Sequence, residues 1–270
     1  PTRRASASGG ATFNSDLPRK RFEKTGEKGI LPMNHSDKKP TNRELRRHVS
    51  ALLAQPDYRD ALRELDFHRI IGPLFSHFYA PDEALKWRAV VAMGMRVAER
   101  AEGGDLESAR VVMRRFMWNL NDESGGIGWG CPEAMGEAAA RSPLLAEEFH
   151  SILTSYIWEE GNYLEHPQLQ HGALWGVGRL AHARPPKWIG YAAPWLVPFT
   201  RSADAGHRGL AAWALGPLDA PESRPALEER VSDDAFLRRF DPETDQLLET
   251  TVGKLAKAAL ARRNESRPRP

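Results

Sequence analysis

The sequence has a single cysteine, Cys131, in 270 residues, so no disulfide can form within the chain. That usage is typical of a reducing compartment, and we expect a cytoplasmic protein. The sequence also lacks an apolar run near the roughly 20 residues that a membrane-spanning helix needs. The best candidate, 191–199, is interrupted by Pro194 and Pro198. The N-terminus has arginines but no apolar signal-peptide core, so we predict neither a membrane span nor a secretory signal.

The sequence also lacks a large net charge, because 38 basic and 36 acidic residues give a formal charge of +2. The distribution is uneven: residues 1–40 carry +5 and residues 262–270 carry +3, which leaves −6 for residues 41–261. An acidic body argues against a broad nucleic-acid surface, so nucleic acid is expected only at the basic tails, if at all. We predict that 1–40 and 263–270 are disordered basic tails, since neither has a hydrophobic period.

What the chain does contain is an internal repeat. Four segments, 85–94, 127–136, 169–178 and 207–216, each close on a glycine, and successive glycines lie 42, 42 and 38 residues apart. Small residues recur five and two positions before each glycine, which places them on one helix face. We therefore predict four helices whose small faces allow close approach of a neighbouring helix.

A larger apolar segment follows three of these helices, at 109–120, 147–158 and 191–199, and 70–79 resembles the second helix of an earlier repeat. Two-helix units of about 40 residues stack side by side into a solenoid. We predict an all-α fold, an α-solenoid (α–α superhelix) of about four to five helical pairs, over residues 41–262.

Helix-start signals mark both ends of this domain. Thr41 is a candidate N-cap with Glu44 as its capping-box partner. The sequence Asp241-Pro242-Glu243 combines an N-cap, a proline at the first helical position and an acid in the first turn. We expect a final helix from there to about Arg262, capping the stack.

The small-residue helix closing on glycine, followed by a proline-containing apolar helix, resembles the HEAT and PBS-lyase-type HEAT-like repeats over roughly residues 65–235. The stretch 119–138 also resembles an uncharacterised bacterial HEAT-repeat family with no known activity. The resemblance implies an armadillo-like solenoid and leaves function open, because such folds serve as scaffolds, adaptors and a few enzymes. HEAT-like deoxyhypusine hydroxylases hold a di-iron centre through repeated His-Glu pairs. Of the matching positions here only His171 fits, and Gly172 follows it, so that activity is not expected.

Two segments, 121–129 and 159–171, combine glycines, acids and histidines one repeat apart. Equivalent loops of a solenoid lie side by side, so we expect both at one edge, bordering a pocket into which Glu133 or His171 points. Glu137 lies one helical turn from Glu133 and adds to the acids there. The candidate ligand- or partner-binding residues are Asn121, Asp122, Glu123, Trp129, Glu133, Glu159, Glu160, Glu165, His166, His171 and Trp175.

Aromatic residues form a second pattern. Trp87, Trp129 and His171 lie seven residues before the repeat glycines, and Trp175 and Trp213 lie three before them. These positions share one helix face, so the residues should form a stripe across the repeats. Such a stripe is typical of a core, and a ligand groove is the alternative.

The residues show no Ser/His/Asp or Cys/His arrangement and no helical His/carboxylate spacing, so we predict no catalytic residue, no metal and no cofactor. The first functional hypothesis is a HEAT-like binding or scaffold module that recognises a protein or peptide through its groove and central loops. The alternative is a small-molecule- or metal-dependent enzyme with a site built from 121–129 and 159–171.

Overall fold

Helices make up most of the computed structural model, which describes residues 40–121, 127–184, 186–218 and 220–265. The helices are α1 Asn42–Leu53, α2 Tyr58–Arg63, α3 Phe67–His77, α4 Glu83–Glu102, α5 Leu106–Asn121, α6 Cys131–Arg141, α7 Pro143–Ser155, α8 Pro167–Ala183, α9 Ala193–Leu196, α10 Ala205–Leu215, α11 Ser223–Glu228 and α12 Val252–Glu265. Short 3₁₀ segments span Pro186–Trp188, Gly190–Ala192, Pro198–Arg201 and Gly216–Leu218. Among the described helices, none combines the length and the apolar character needed to cross a bilayer.

The helices form two layers, as the 42-residue repeat predicts. The inner layer runs α4, α6, α8, α10, α12, and each of these packs on the next. The outer layer contains α3, α5, α7 and the segment around α9, each connected to an inner helix. The predicted α-solenoid is confirmed. The predicted capping box at the start of α1 is also present, with Thr41 and Glu44 bonded reciprocally.

The inner helices approach closely because their facing positions carry no side chain. A Cβ placed on Gly136 would lie 2.3 Å from the Cα of Gly176 in the neighbouring helix, and one on Gly178 would lie 2.4 Å from the ring of Trp213. Both distances are far below van der Waals contact, so even alanine would push the helices apart. This confirms the role predicted for the repeat glycines at this part of the stack.

Helix α6 starts later than the repeat pattern predicts. Gly130 has a φ of +74° and is the N-cap of α6, so the helix begins at Cys131 rather than at Ile127. A Cβ on Gly130 would also lie 2.8 Å from the ring of Phe78. Left-handed backbone and this close ring contact both favour glycine there.

The prediction of one continuous helix over 191–199 is wrong. This stretch holds a 3₁₀ turn, the four-residue α9 and a second 3₁₀ turn. Pro198 lies four residues after Pro194 and has no N–H to donate back along the helix, so a regular α-helix cannot continue through it.

The helix predicted from Asp241 to Arg262 is wrong over its first half. Strands β1 Phe236–Asp241 and β2 Gln246–Thr251 pair antiparallel, with Phe236 opposite Thr251 and Asp241 opposite Gln246. The supposed helix start is the turn of this hairpin, and α12 begins only at Val252. From there the expectation holds, because α12 packs against α10 and closes the inner layer.

Distant contacts explain why a hairpin replaces the locally favoured helix. The Asp245 carboxylate, in the turn, accepts hydrogen bonds from the Tyr58 hydroxyl (2.7 Å) and from Nε of Arg88 (2.8 Å). The Arg59 guanidinium lies 3.4 Å from the same carboxylate. Phe240, in β1, points toward the inner helices and is 1% exposed. The burial of Phe240 and the ion pairs of Asp245 outweigh the local preference for starting a helix, which is worth about 1 kcal/mol.

Candidate functional site

Three members of the predicted aromatic stripe, Trp87, Trp175 and Trp213, lie next to one another, and the hairpin packs on them. The ring centroids of Trp87 and Trp175 are 4.9 Å apart, and those of Trp175 and Trp213 are 6.3 Å apart. The Phe240 ring stacks on Trp87 at 4.9 Å with planes 3° apart. The indole N–H of Trp175 donates to the Phe240 carbonyl at 2.9 Å, and Trp175 is 1% exposed. Of the two interpretations of the stripe, the core is therefore the one that the contacts favour.

The segments 121–129 and 159–171 do meet. Trp129 lies edge-on against His166, with ring centroids 4.9 Å apart. Trp129 thus leaves the aromatic stripe and joins the two loops instead. Asn121 is exposed at the end of α5, while Asp122 and Glu123 lie outside the described residues.

Two more members of the predicted set, Glu165 and His166, lie exposed just before α8. His166 caps this helix, because its Nδ1 accepts a hydrogen bond from the Gln168 amide at 3.2 Å. This capping role explains the orientation of the His166 side chain without any bound ligand.

A small polar cavity of about 150 Å³ lies between α4, α6, α8 and β1, and we call it the hairpin cavity. Its lining includes three residues of the predicted set, Glu133, His171 and Trp175, together with Lys86 and Arg238. Neither Asn121 nor residues 127–129 line it. The expected pocket therefore contains Glu133 and His171, but the described part of 121–129 does not border it.

Glu133 is the most unusual group in the hairpin cavity. It is 5% exposed, and its Oε2 has no hydrogen-bond partner among the described residues. Burial raises the pKa of this carboxyl group, and the positive charge of nearby Lys86 only partly opposes the rise. The backbone of Gly172 leaves the space for it, since a Cβ there would lie 2.5 Å from Oε2.

A larger cavity of about 400 Å³ lies at the edge of the solenoid, and we call it the acidic aromatic cavity. Its defining residues are Trp158, Glu159, Glu160 and Trp195. The two indole rings stack with centroids 4.9 Å apart and planes 9° apart. Glu159 and Glu160 are exposed at its mouth, and no ion pair involves either within the described ranges.

The chain after α7 builds this cavity through local hydrogen bonds. The Gly161 amide donates to the Trp158 carbonyl at 2.9 Å, and the Leu164 amide donates to the Tyr156 carbonyl at 3.1 Å. These turns place the two glutamates between the outer and the inner layer. Across the cavity, Trp195 belongs to the short α9 that replaces the expected long helix.

A third group combines His171 with two residues that the sequence did not indicate, Asp204 and His207. One ligand-type atom from each lies within 4.8 Å of the other two. Burial, with a contribution from neighbouring His171, lowers the pKa of His207. Burial also acts to raise the pKa of Asp204, but hydrogen bonds from the His207 amide and from His171 outweigh it, so the pKa is lowered.

The structure distributes eight of the eleven predicted residues over three places. Glu133, His171 and Trp175 line the hairpin cavity, Glu159 and Glu160 line the acidic aromatic cavity, and Trp129, Glu165 and His166 lie at the loop contact. As ligand-binding residues they stay predictions. The residues that sequence reasoning missed are Trp158, Trp195, Asp204 and His207.

Comparison with known proteins supports the fold. No model of a known protein family matches the chain. An uncharacterized protein from Archaeoglobus fulgidus is 32% identical over 111 residues, which are 40% of this chain and 52% of that protein. The chain thus spans about half the length of this curated relative.

Among solved structures, a designed armadillo repeat protein in complex with the peptide (KR)4 superposes with a TM-score of 0.51 at 19% identity, covering 86% of this chain and 96% of that one. An archaeal HEAT-like repeat protein from Thermococcus onnurineus NA1 gives a TM-score of 0.38 at 14% identity, over 87% of this chain and 84% of that one. The chain shares the α-solenoid fold of the designed armadillo repeat protein, as the repeat pattern predicts.

Proposed function

We propose that this α-solenoid is a cytoplasmic binding module that recognises a basic segment of a protein or peptide partner through the acidic aromatic cavity. One observation carries the proposal: a stacked pair of tryptophans faces the same open space as two glutamates that form no ion pair with any described residue. The small-molecule or metal-dependent enzyme remains the alternative, and no catalytic arrangement among the described residues favours it.

The chemistry of the cavity fits a lysine or arginine side chain. Glu159 and Glu160 supply negative charge at the mouth, while Trp158 and Trp195 supply aromatic surface that attracts cations. A cavity of about 400 Å³ has room for such a side chain with part of its backbone. The formal charge of −6 on residues 41–261 adds long-range attraction for a basic partner.

The proposal moves the binding surface away from the aromatic stripe. A peptide there would have to displace the hairpin, which is held by Phe240 and by the ion pairs of Asp245. The acidic aromatic cavity needs no displacement. A designed armadillo repeat protein that is similar to this chain in fold has been solved in complex with the peptide (KR)4, and this supports the choice of a basic peptide.

The experiment is a fluorescence-anisotropy titration of the labelled peptide (KR)4 with the full chain. We expect saturable binding, and about three- to tenfold weaker binding for the double variant Glu159→Gln/Glu160→Gln. The matched control is Glu64→Gln/Glu222→Gln, which removes the same charge from exposed positions that do not line the cavity.

Two results would contradict the proposal. One is no saturable binding of (KR)4 to the wild-type chain. The other is an equal loss of affinity in the two double variants, which would assign the binding to net charge alone. An acidic octapeptide, (DE)4, serves as the peptide control and should not bind.

A further inference from the structure

The group formed by His171, Asp204 and His207 has the chemistry of a metal site. Two imidazoles and one carboxylate are the donors that divalent transition metals take in proteins. His171 belongs to α8, Asp204 is the N-cap of α10, and His207 lies in the first turn of α10. The three residues therefore join neighbouring inner helices.

Hydrogen bonds around His207 fix which of its nitrogens is available. Nε2 lies 3.1 Å from the Pro167 carbonyl oxygen, which can only accept, so this nitrogen carries the proton. Nδ1 then holds a lone pair, to which the Ser202 hydroxyl donates at 3.1 Å. A backbone carbonyl holding the far nitrogen is the usual support for a metal-binding histidine.

Only one of the two carboxylate oxygens of Asp204 accepts hydrogen bonds from the described residues. Its Oδ1 accepts from Nε2 of His171 at 2.8 Å and from the His207 amide at 2.9 Å, which caps α10. Its Oδ2 has no hydrogen bond within the described part of the chain. The side chains of His171 and Asp204 are 36% and 42% exposed, so an ion can reach them from solvent.

We propose that His171, Asp204 and His207 form a binding site for one divalent transition-metal ion. On binding, the ion replaces the hydrogen bond from His171 Nε2 to Asp204; the neutral ring then carries its single proton on Nδ1, and the Ser202 hydroxyl turns away from His207 Nδ1. The donor atoms lie within 4.8 Å of one another, whereas donors of a tetrahedral zinc ion are about 3.3 Å apart. Binding requires small side-chain rotations of the partly exposed His171 and Asp204 that bring the donors closer together.

This inference does not depend on the proposed peptide binding. His207 also lines the acidic aromatic cavity, and His171 also lines the hairpin cavity, so the site lies between the two. Titrating (KR)4 in the presence of a chelator separates the two proposals, because peptide binding through the glutamates does not require the ion.

The test is calorimetric titration of tag-free, chelator-treated full chain with ZnCl₂, together with the visible spectrum of the CoCl₂-loaded protein. We expect one ion per chain and a higher melting temperature with zinc. His171→Gln and Asp204→Asn should each weaken binding at least about tenfold. Asparagine keeps the helix cap, so Asp204→Asn still folds even if a substitution of buried His207 does not.

His68→Gln is the matched control, since His68 is exposed and lies outside the site. Binding should be unchanged in this variant. The proposal is overturned if zinc fails to bind at one ion per chain, or if His171→Gln and Asp204→Asn bind it as tightly as wild type. In either case the three residues serve only as the capping network of α10.

Discussion

The hairpin face, where β1 and the hairpin turn pack on α4 and α8, and the acidic aromatic cavity use the same residue types in opposite ways. On the hairpin face, Trp87 stacks on Phe240, and the Asp245 carboxylate accepts from Tyr58 and Arg88. In the acidic aromatic cavity, stacked tryptophans and two glutamates border open space, and no ion pair among the described residues involves either glutamate.

The difference shows that residue type alone does not separate a binding surface from a structural one. Tryptophan and carboxylate stabilise the fold where the chain itself supplies their partners. The same groups are available for an external partner where it does not. Of the variants below, Phe240→Ala changes the hairpin face, where we expect a large loss of stability, and His182→Gln changes the pH dependence of stability. Trp195→Leu changes the cavity, where we expect a loss of binding.

Phe240→Ala should produce the largest effect. Removing a fully buried ring costs about 3–5 kcal/mol, and here the stacking partner Trp87 also loses its contact. Urea unfolding of the variant measures the loss. Phe236→Ala on the same strand is the control, because Phe236 is 58% exposed and should change the free energy of unfolding by no more than about 0.5 kcal/mol. Equal effects would mean that the hairpin is held by its backbone rather than by Phe240.

His182 should make stability on the hairpin side sensitive to pH. It stacks on Trp213, and its ring Nε2–H donates to the Trp213 carbonyl at 3.0 Å. Burial lowers the pKa of His182 to about 4 from an ordinary value of 6.5. Between these values the unfolded chain binds more protons than the folded chain, so stability falls as the pH falls.

The lowered pKa of His182 predicts about 3 kcal/mol of stability that is present above pH 6.5 and lost by pH 4. Urea unfolding at several pH values should therefore show a shallower decline for His182→Gln than for wild type. His68→Gln, at an exposed position, should follow the wild-type curve. A parallel decline in all three proteins would show that His182 titrates normally in the folded state.

The repeat and most helices could be predicted because their signals are local. Small residues at fixed offsets from Gly94, Gly136 and Gly178 identify the inner helices within windows of about ten residues. The capping box at Thr41 and Glu44 is equally local. These signals need no knowledge of distant parts of the chain.

The hairpin could not be predicted because its determinants are distant. Trp175 bonds to Phe240 across 65 residues, and Tyr58 bonds to Asp245 across 187. The local sequence around Pro242 favours a helix start, and tertiary contacts override it.

The site was predicted only in part, for a related reason. Glu159 and Glu160 stand out as acids in a loop, whereas Trp158 and Trp195 read as ordinary members of apolar helices. Their stacking depends on the break in the chain around α9. His171 and Asp204 are likewise 33 residues apart and meet only through the stacking of repeats.

Trp195→Leu should give the smallest effect and the clearest test of the comparison. Leucine keeps apolar volume at the half-buried position but removes the aromatic face that attracts a cation. Cation–π contacts are worth about 0.5–2 kcal/mol, so (KR)4 should bind about two- to thirtyfold more weakly. Trp118→Leu is the control, because Trp118 is 75% exposed on α5 and does not line the cavity. Anisotropy titrations on both variants, with folding checked by circular dichroism, separate the outcomes. If Trp118→Leu weakens binding as much as Trp195→Leu, the peptide does not use the stacked pair, and the acidic aromatic cavity is no more a binding surface than the hairpin face.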